Sequence, residues 1–274
     1  MRPEYRKNLD DAPRPVAAMA KAWNDGDVIP LHIHRRGQLI HAMTGIMRIE
    51  TATAAWIVPP ALALWMPPQY PHSMVMRGRL EMRTVYIDER VCTNLPVQPT
   101  LIEIGPLLHE LVLAALEEPL DYDEAGRGGL IARLILTELG RMQERKLVVP
   151  MPRDPRALRV ARSLLENLDN PHDLDDWANV AGASRRTLAR LFRAETGFSF
   201  SEWRARLRAI DGLARLATGA SVANVAASVG YASPSAFSAM VRRNFGRPPR
   251  QVAKRPLRRP QPAVDLAGNL KPLI

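Results

Sequence analysis

The sequence predicts a two-domain α+β protein, with a β-rich N-terminal half followed by two helices and an all-α C-terminal half carrying two helix-turn-helix units. Three observations lead there. One pattern occurs twice near the C-terminus, as Ala178, Gly182, Leu188 and Leu191 and again as Ala226, Gly230 and Phe237; Ala to Ala and Gly to Gly both span 48 positions. Before Pro150, short apolar stretches of strand-like length are interrupted by turn residues. The charge is also divided: residues 1–152 hold 17 Lys and Arg against 18 Asp and Glu, whereas 153–260 hold 20 against 9.

In chain order, the stretches Val28–His34, Gln38–Met43, Ile46–Glu50, Ala54–Val58, Ala61–Trp65, Ser73–Met76 and Leu80–Ile87 read as strands. Their length, their β-branched content and the alternation at Ile46 and Arg48, or Met82, Thr84 and Tyr86, suit a half-buried pleated surface. They predict a compact sandwich or barrel filled by Trp56, Trp65, Met43, Met47, Met66, Met74, Met76 and Met82, with room for an apolar ligand cavity. Leu101–Leu116 and Leu130–Leu147 then carry helical spacing, as in Leu107, Leu111 and Ala114. Two amphipathic helices beside a small β domain need an apolar surface to cover, either the barrel or a second copy of the chain. Pro150, Pro152 and Pro155 stop helix formation, which places a linker at 149–156 between domains of 1–148 and 157–252.

Beyond the linker, Leu158, Ala161, Leu164, Leu165 and Leu168 form the apolar stripe of a supporting helix. Asp173 or Asp175 starts the next helix, which runs through Trp177 and Val180 to Gly182. Ser184–Glu195 follows as the first reading helix, with Leu188, Leu191 and Phe192 inward and Arg185, Arg186, Ala189, Arg190 and Arg193 outward. Phe200–Leu216 separates the two units. The second unit comprises Val222–Val229, the turn at Gly230 and a helix from Ser233 with Pro234 at its first position. The Ala of each unit lets two helices approach, the Gly supplies the turn, and the Ser caps the helix that follows. From 253 to 274 the chain is Pro- and Arg-rich, and a disordered basic tail is expected.

A field of this sign over the C-terminal half attracts phosphate backbones, so the expected partner is double-stranded DNA. Side chains on the first outer turns of a reading helix reach base edges, which assigns base reading to Arg186 and Arg190, with Arg185 and Ala189 beside them. In the second unit Ser235 and Ser238 take that position with little capacity for bidentate contacts, so the first unit is expected to dominate sequence choice. Ser184, Arg193, Ser233, Arg242, Arg243 and Arg247 are assigned to phosphates. Cys92 is the single cysteine and reads as a small hydrophobe. No apolar run of about 18 residues and no secretory leader pattern occur, so a cytoplasmic, nucleoid-associated protein without membrane contact is expected.

Asp173–Val252 resembles the DNA-binding domain of AraC/XylS-type transcriptional regulators. The resemblance is carried by Ser184-Arg-Arg-Thr-Leu-Ala-Arg-Leu-Phe192 with Glu195-Thr-Gly197 in the first unit, and by Gly230-Tyr231, Ser233, Phe237 and Gly246-Arg-Pro-Pro249 in the second. Ala239, Val241 and Val252 depart from that family, which usually has Arg and Phe, and often Tyr, at those positions. The family implies a ligand-controlled regulator, with RNA polymerase a further partner if it activates, and a homodimer.

Gly26, His32, His34, Gln38 and Gly45, with Pro67 and His72, are similar to the cupin double-strand motif, and AraC-type regulators often carry a cupin-like sensor. Gln38 stands where cupin enzymes have Glu, and Met76 where they have Asn. Two histidines at i and i+2 of a strand share a face, and a third from a neighbouring strand could complete a three-nitrogen site for a divalent metal. The alternatives are a metal site at His32, His34 and His72, or a metal-free effector pocket lined by these residues and Gln38. His41, His109 and His172 lack a partner at ligand spacing and are expected at the surface or at caps. A competing reading is a metal-dependent cupin enzyme fused to a nucleic-acid-binding module; no general base with an evident partner supports it.

Overall fold

The computed structural model describes residues 9–253. A short 3-10 turn at Leu9–Asp11 leads into β1 (Val16–Trp23), β2 (Val28–His32), β3 (Gly37–Glu50), β4 (Ala54–Val58), β5 (Leu62–Met66), β6 (His72–Ile87) and β7 (Thr100–Glu103). Helices α1 (Pro106–Ala115) and α2 (Arg127–Gly140) and a two-residue strand β8 (Val149–Pro150) follow. The rest of the described chain is helical: α3 (Pro155–Glu166), α4 (Leu174–Ala181), α5 (Arg185–Thr196), α6 (Phe200–Ala217), α7 (Val222–Ser228), α8 (Pro234–Phe245) and α9 (Pro249–Val252). This is the α+β architecture that the sequence predicts.

The long antiparallel strands β3 and β6 are the spine of the sheet and belong to both of its layers. Along Gln38–His41, β3 also pairs with β5, and along Met47–Glu50 with β4. Strand β6 pairs with β2 near His72–Val75 and with β1 along Leu80–Ile87. One layer therefore reads β1-β6-β3-β5-β7 and the other β2-β6-β3-β4-β8. Each pair of short strands expected at 38–50 and 73–87 is a single bent strand, because the ladder continues through register shifts between Ala42 and Ile46. Gly45 sits in that bend at φ 74°, and a Cβ there would lie 2.9 Å from the Arg79 carbonyl. The bend brings the layers face to face around Ile40, Met47, Ile49, Trp56, Leu64, Met66, Met76 and Met82.

Alternate residues point outward and are covered on both sides. Leu39, Trp65, Val85 and Ile87 pack under α1 and α2, while Ile46, Ala55, Ile57 and Val149 join the core of the C-terminal helices. Trp65 is thus buried against the helices, with its indole N–H donating to the Pro96 carbonyl at 2.8 Å.

Several expectations need correction. Strand β1 carried little sequence signal, being rich in Ala, and is held by eight register pairs with β6. The helix expected from Leu101 begins at Pro106, since Thr100–Glu103 adds to β5 as an edge strand and Pro106 suits the first helical position. The helix expected over Leu130–Leu147 runs from Arg127 to Gly140. The stretch expected as a linker is docked: β8 pairs with β4, Trp203 Nε1 donates to the Pro150 carbonyl at 2.6 Å, and Glu195 accepts from the Arg153 and Asp154 amides. His41 and His109 are buried, with ring centroids 5.5 Å apart between the sheet and α1. The tail expected at 253–274 lies, from Lys254 onward, outside the described residues.

Two sheet arginines tie the halves together. Arg48 Nη1 and Arg77 Nη2 both donate to the Leu165 carbonyl, at 2.9 and 2.6 Å, placing positive charge at the C-terminal end of α3. Arg48 also pairs with Glu50 and Glu166, and Arg77 pairs with the buried Asp211 of α6, which Arg215 holds from the other side at 2.5 Å.

Candidate functional site

Capping sets the boundaries of the helix-turn-helix units. Asp173 accepts from the Asp175 and Asp176 amides while Asp176 accepts from the Asp173 amide, a capping box that starts α4. Helix α4 ends at Gly182 in the left-handed conformation, φ 65°, and Ser184 caps α5 by accepting from the Thr187 amide at 3.1 Å. The second unit repeats this plan, with Gly230 at φ 78° and Ser233 accepting from the Ala236 amide at 3.1 Å. Ser184 and Ser233, assigned above to phosphates, therefore serve as helix caps, each contributing about 1 kcal/mol.

Helix α5 is locked from below. Leu188, Leu191 and Phe192 are buried, and Phe192 meets Phe200 and Trp203 edge to face with centroids 5.3 Å away in each case. Its other side presents Arg185, Arg186, Arg190 and Arg193 to solvent, with Ala189 half-buried between them. These arginines are not equivalent. Arg185 pairs with Asp175, and Arg193 reaches the Gly197 carbonyl at 3.2 Å and Glu202 at 3.4 Å. Arg186 and Arg190 are exposed and make no hydrogen bond or ion pair among the described residues. On α8, Phe237, Met240 and Val241 face inward, Ser235 and Arg242 are exposed and Ser238 is half-buried; Arg243 and Arg247 follow on the surface. Helix α6, with 18 residues, spans about 27 Å between the units at about 1.5 Å per residue.

The barrel mouth holds a cavity of about 200 Å³. Met19, Ile29, Ile40, Met74 and Met82 supply its apolar wall, and His32, His34 and Gln38 reach into it from β2, the following loop and β3. Trp23 Nε1, Gln38 Oε1 and Thr84 Oγ1 are buried on this wall without a hydrogen-bond partner among the described residues. Trp23, Thr84 and Tyr86 escaped assignment to the site: Trp23 lies on the unexpected strand β1, and the other two carried only a strand's alternation. Burial pushes the Tyr86 hydroxyl up to about 12 and lowers the Lys21 ammonium.

The three expected histidines do come together. His32 and His72 are register partners across β2 and β6, with ring centroids 4.3 Å apart, and His34 lies 4.9 Å from His32. One nitrogen from each ring falls within 4.8 Å of the others. Every Nδ1 faces an oxygen: Pro30 O for His32 at 2.8 Å, Tyr70 O for His72 at 2.9 Å and Asp10 Oδ2 for His34 at 3.3 Å. A carbonyl can only accept, so Nδ1 of His32 and His72 carries the proton and Nε2 keeps its lone pair. Burial drives His72 down to about 4 and lowers His32 too, which keeps both rings neutral near neutral pH. Burial raises the Cys92 thiol to about 11, which disfavours its thiolate.

A family model described as a helix-turn-helix domain matches residues 177–255. Along nearly its whole length the chain is similar to the HTH-type transcriptional regulator NimR of Escherichia coli (strain K12), 30% identical over 249 residues, covering 90% of this chain and 91% of that protein. It is also similar to the HTH-type transcriptional regulator RipA of Corynebacterium glutamicum, 39% identical over 100 residues, or 36% of this chain and 30% of that one. A putative AraC-like transcription regulator of Streptomyces lividans is 40% identical over 82 residues, 30% of this chain and 27% of its own. With paired capped units on a basic helical half and a relative matched nearly end to end, this chain belongs to the AraC-type family of helix-turn-helix, DNA-binding transcriptional regulators.

Proposed function

We propose that the chain is a ligand-responsive regulator in which residues 1–148 sense a small molecule or metal and pair two copies, while 157–252 bind promoter DNA. The observation that carries this reading is the state of α5: Arg186 and Arg190 stand exposed and unengaged on a helix whose opposite face is fixed in the core. Both are therefore assigned to base edges, with Arg185 and Ala189 beside them and Ser235 and Ser238 in the corresponding position of the second unit. Arg193, Arg242, Arg243 and Arg247 hold phosphates, joined by the caps Ser184 and Ser233. The effector occupies the barrel cavity at His32, His34, Gln38 and His72. Leu107, Leu130 and Leu134 are exposed on α1 and α2 and supply an apolar face for a second copy. RNA polymerase is a partner where the protein activates, and the action is cytoplasmic, on the nucleoid, and not catalytic.

Coupling runs through the tie between the halves. Strand β6 carries His72 beside the cavity-lining His32 and, five residues on, Arg77 bound to Asp211 of α6. A ligand that shifts β6 biases how α6 and the two units it joins are held. The test is selection of bound sites from genomic DNA with the full chain, followed by a salt titration. With roughly six to ten phosphates neutralised, affinity should fall on the order of 10³ to 10⁵ between about 50 and 200 mM salt. Absence of a selected site, or a flat salt response, refutes the reading.

A further inference from the structure

We propose that His32, His34 and His72 form a binding site for a divalent late first-row transition ion such as Zn²⁺, with its open coordination position facing the barrel cavity. The inference deepens the reading of the cavity as the sensing site and rests on it for its regulatory consequence. Four observations carry it. The ring nitrogens converge to within 4.8 Å from two paired strands and the loop that follows one of them, so backbone register, and not chance surface placement, brings them together. His72 is 1% exposed, yet its Nε2 has no partner among the described residues, and a buried acceptor left unpaired is destabilising unless something occupies it. Each Nδ1 is held by an oxygen, the outer arrangement that orients a ligating imidazole and raises its basicity. The Asp10 carboxylate that backs His34 is itself anchored by the Arg36 amide at 3.2 Å.

The donor set decides which ion fits. Three imidazole nitrogens without a carboxylate or thiolate among them suit Zn²⁺, Ni²⁺, Cu²⁺ or Fe²⁺, whereas Ca²⁺ and Mg²⁺ require oxygen cages. At about 2.0–2.1 Å from each nitrogen, tetrahedral binding draws the three to about 3.3 Å of one another, which rotations of the side chains supply. Three protein ligands leave a fourth position. Here that position opens on a cavity whose wall is methionine and isoleucine, with Gln38 Oε1 and Thr84 Oγ1 lacking a hydrogen-bond partner among the described residues. The ligand class is thus a small, largely apolar molecule with one Lewis-basic oxygen or nitrogen for the metal and a hydrogen-bonding group for the wall.

The test uses the full chain, stripped with chelator and titrated with Zn²⁺ and Co²⁺ by calorimetry and visible absorption. One equivalent per chain is expected, with the intense bands of four-coordinate cobalt and a shift of those bands on adding azide. His34→Ala, at a partly exposed position, should weaken binding by about 100-fold or more and Asp10→Ala by about 10-fold. His72→Ala repeats the measurement at the buried ligand, with circular dichroism confirming that each variant is folded. Failure of the wild-type chain to bind either ion at micromolar concentration, or unchanged binding by folded His34→Ala, overturns the site. Operator affinity is measured alongside with metal alone and without metal. Binding that leaves operator affinity unchanged supports the metal site and counts against its regulatory role, so the two readings fail separately.

Discussion

Asp211 is the charge on which the contact between sheet and helices turns, and its removal has a calculable cost. The carboxylate is 1% exposed and lies between Arg77 of β6, 23% exposed, and Arg215, 34% exposed. Asp211→Asn keeps the shape of the side chain and removes the charge. A unit charge pair at about 4 Å is worth about 4 kcal/mol at an effective dielectric constant of about 20, and losing one partner of a buried pair commonly costs about 3–5 kcal/mol. Both guanidiniums keep access to water and Arg77 retains the Leu165 carbonyl, which brings the cost to the bottom of that range or just below it: about 2–3 kcal/mol. At roughly 2–4 °C per kcal/mol for chains of this size, Tm should fall by about 5–10 °C. The assay is urea unfolding followed by far-ultraviolet circular dichroism, in a double-mutant cycle with Arg77→Gln. A coupling energy of about 1 kcal/mol or more is expected. Asp175→Asn, which breaks the exposed pair with Arg185, is the control and should change little. A loss below about 0.5 kcal/mol for Asp211→Asn, or strict additivity with Arg77→Gln, would refute the argument.

Further outcomes follow from single contacts. Arg190→Ala should relax preference at one base pair by about 1–3 kcal/mol, read by selection on randomised sites, whereas Arg243→Ala should weaken all sequences alike. Equal weakening of every sequence by Arg190→Ala would remove it from base reading. His41 is driven down to about 4 by burial, with the His109 ring of α1 and the Arg83 guanidinium of β6 adding to the effect. The unfolded chain then binds the proton that the folded one refuses, so stability is full above about pH 6.5 and falls as pH drops towards 4, by on the order of 3 kcal/mol. Urea midpoints at pH 7 and pH 4.5 measure this, and His41→Gln should remove its share of the difference while leaving that of His72, which burial also drives down to about 4. Gly212 lies where α6 meets α8, and a Cβ there would sit 2.6 Å from Phe237 Cε2. Gly212→Ala should therefore cost about 1–3 kcal/mol by overpacking and weaken DNA binding through the second unit; unchanged Tm and affinity would show that the ring gives way freely.

The legible parts of this protein share one property: their signals are local. The repeat of Ala, Gly and aromatic or Leu positions, the caps at Ser184 and Ser233 and the apolar stripe of Leu188, Leu191 and Phe192 operate within one or two helical turns, so residue spacing reveals them. The i, i+2 spacing of His32 and His34 is local as well, whereas His72 is marked only by the resemblance of Pro67 and His72 to the second half of the cupin pattern. What spacing could not reveal are contacts between distant segments. Ala-rich β1 is a strand because β6 offers it a ladder, Thr100–Glu103 is a strand because β5 has a free edge, and Trp23 reaches the cavity only when β1 pairs with β6. Arg48, Arg77 and Asp211 look like ordinary charges until the sheet is laid against α3 and α6. Similarly, Arg185 and Arg190 are alike as letters, and only folding gives one of them Asp175 as a partner while leaving the other without an ion pair among the described residues. Backbone propensity and side-chain periodicity are written along the chain, whereas burial and the pairing of charges depend on which surfaces tertiary packing brings into contact.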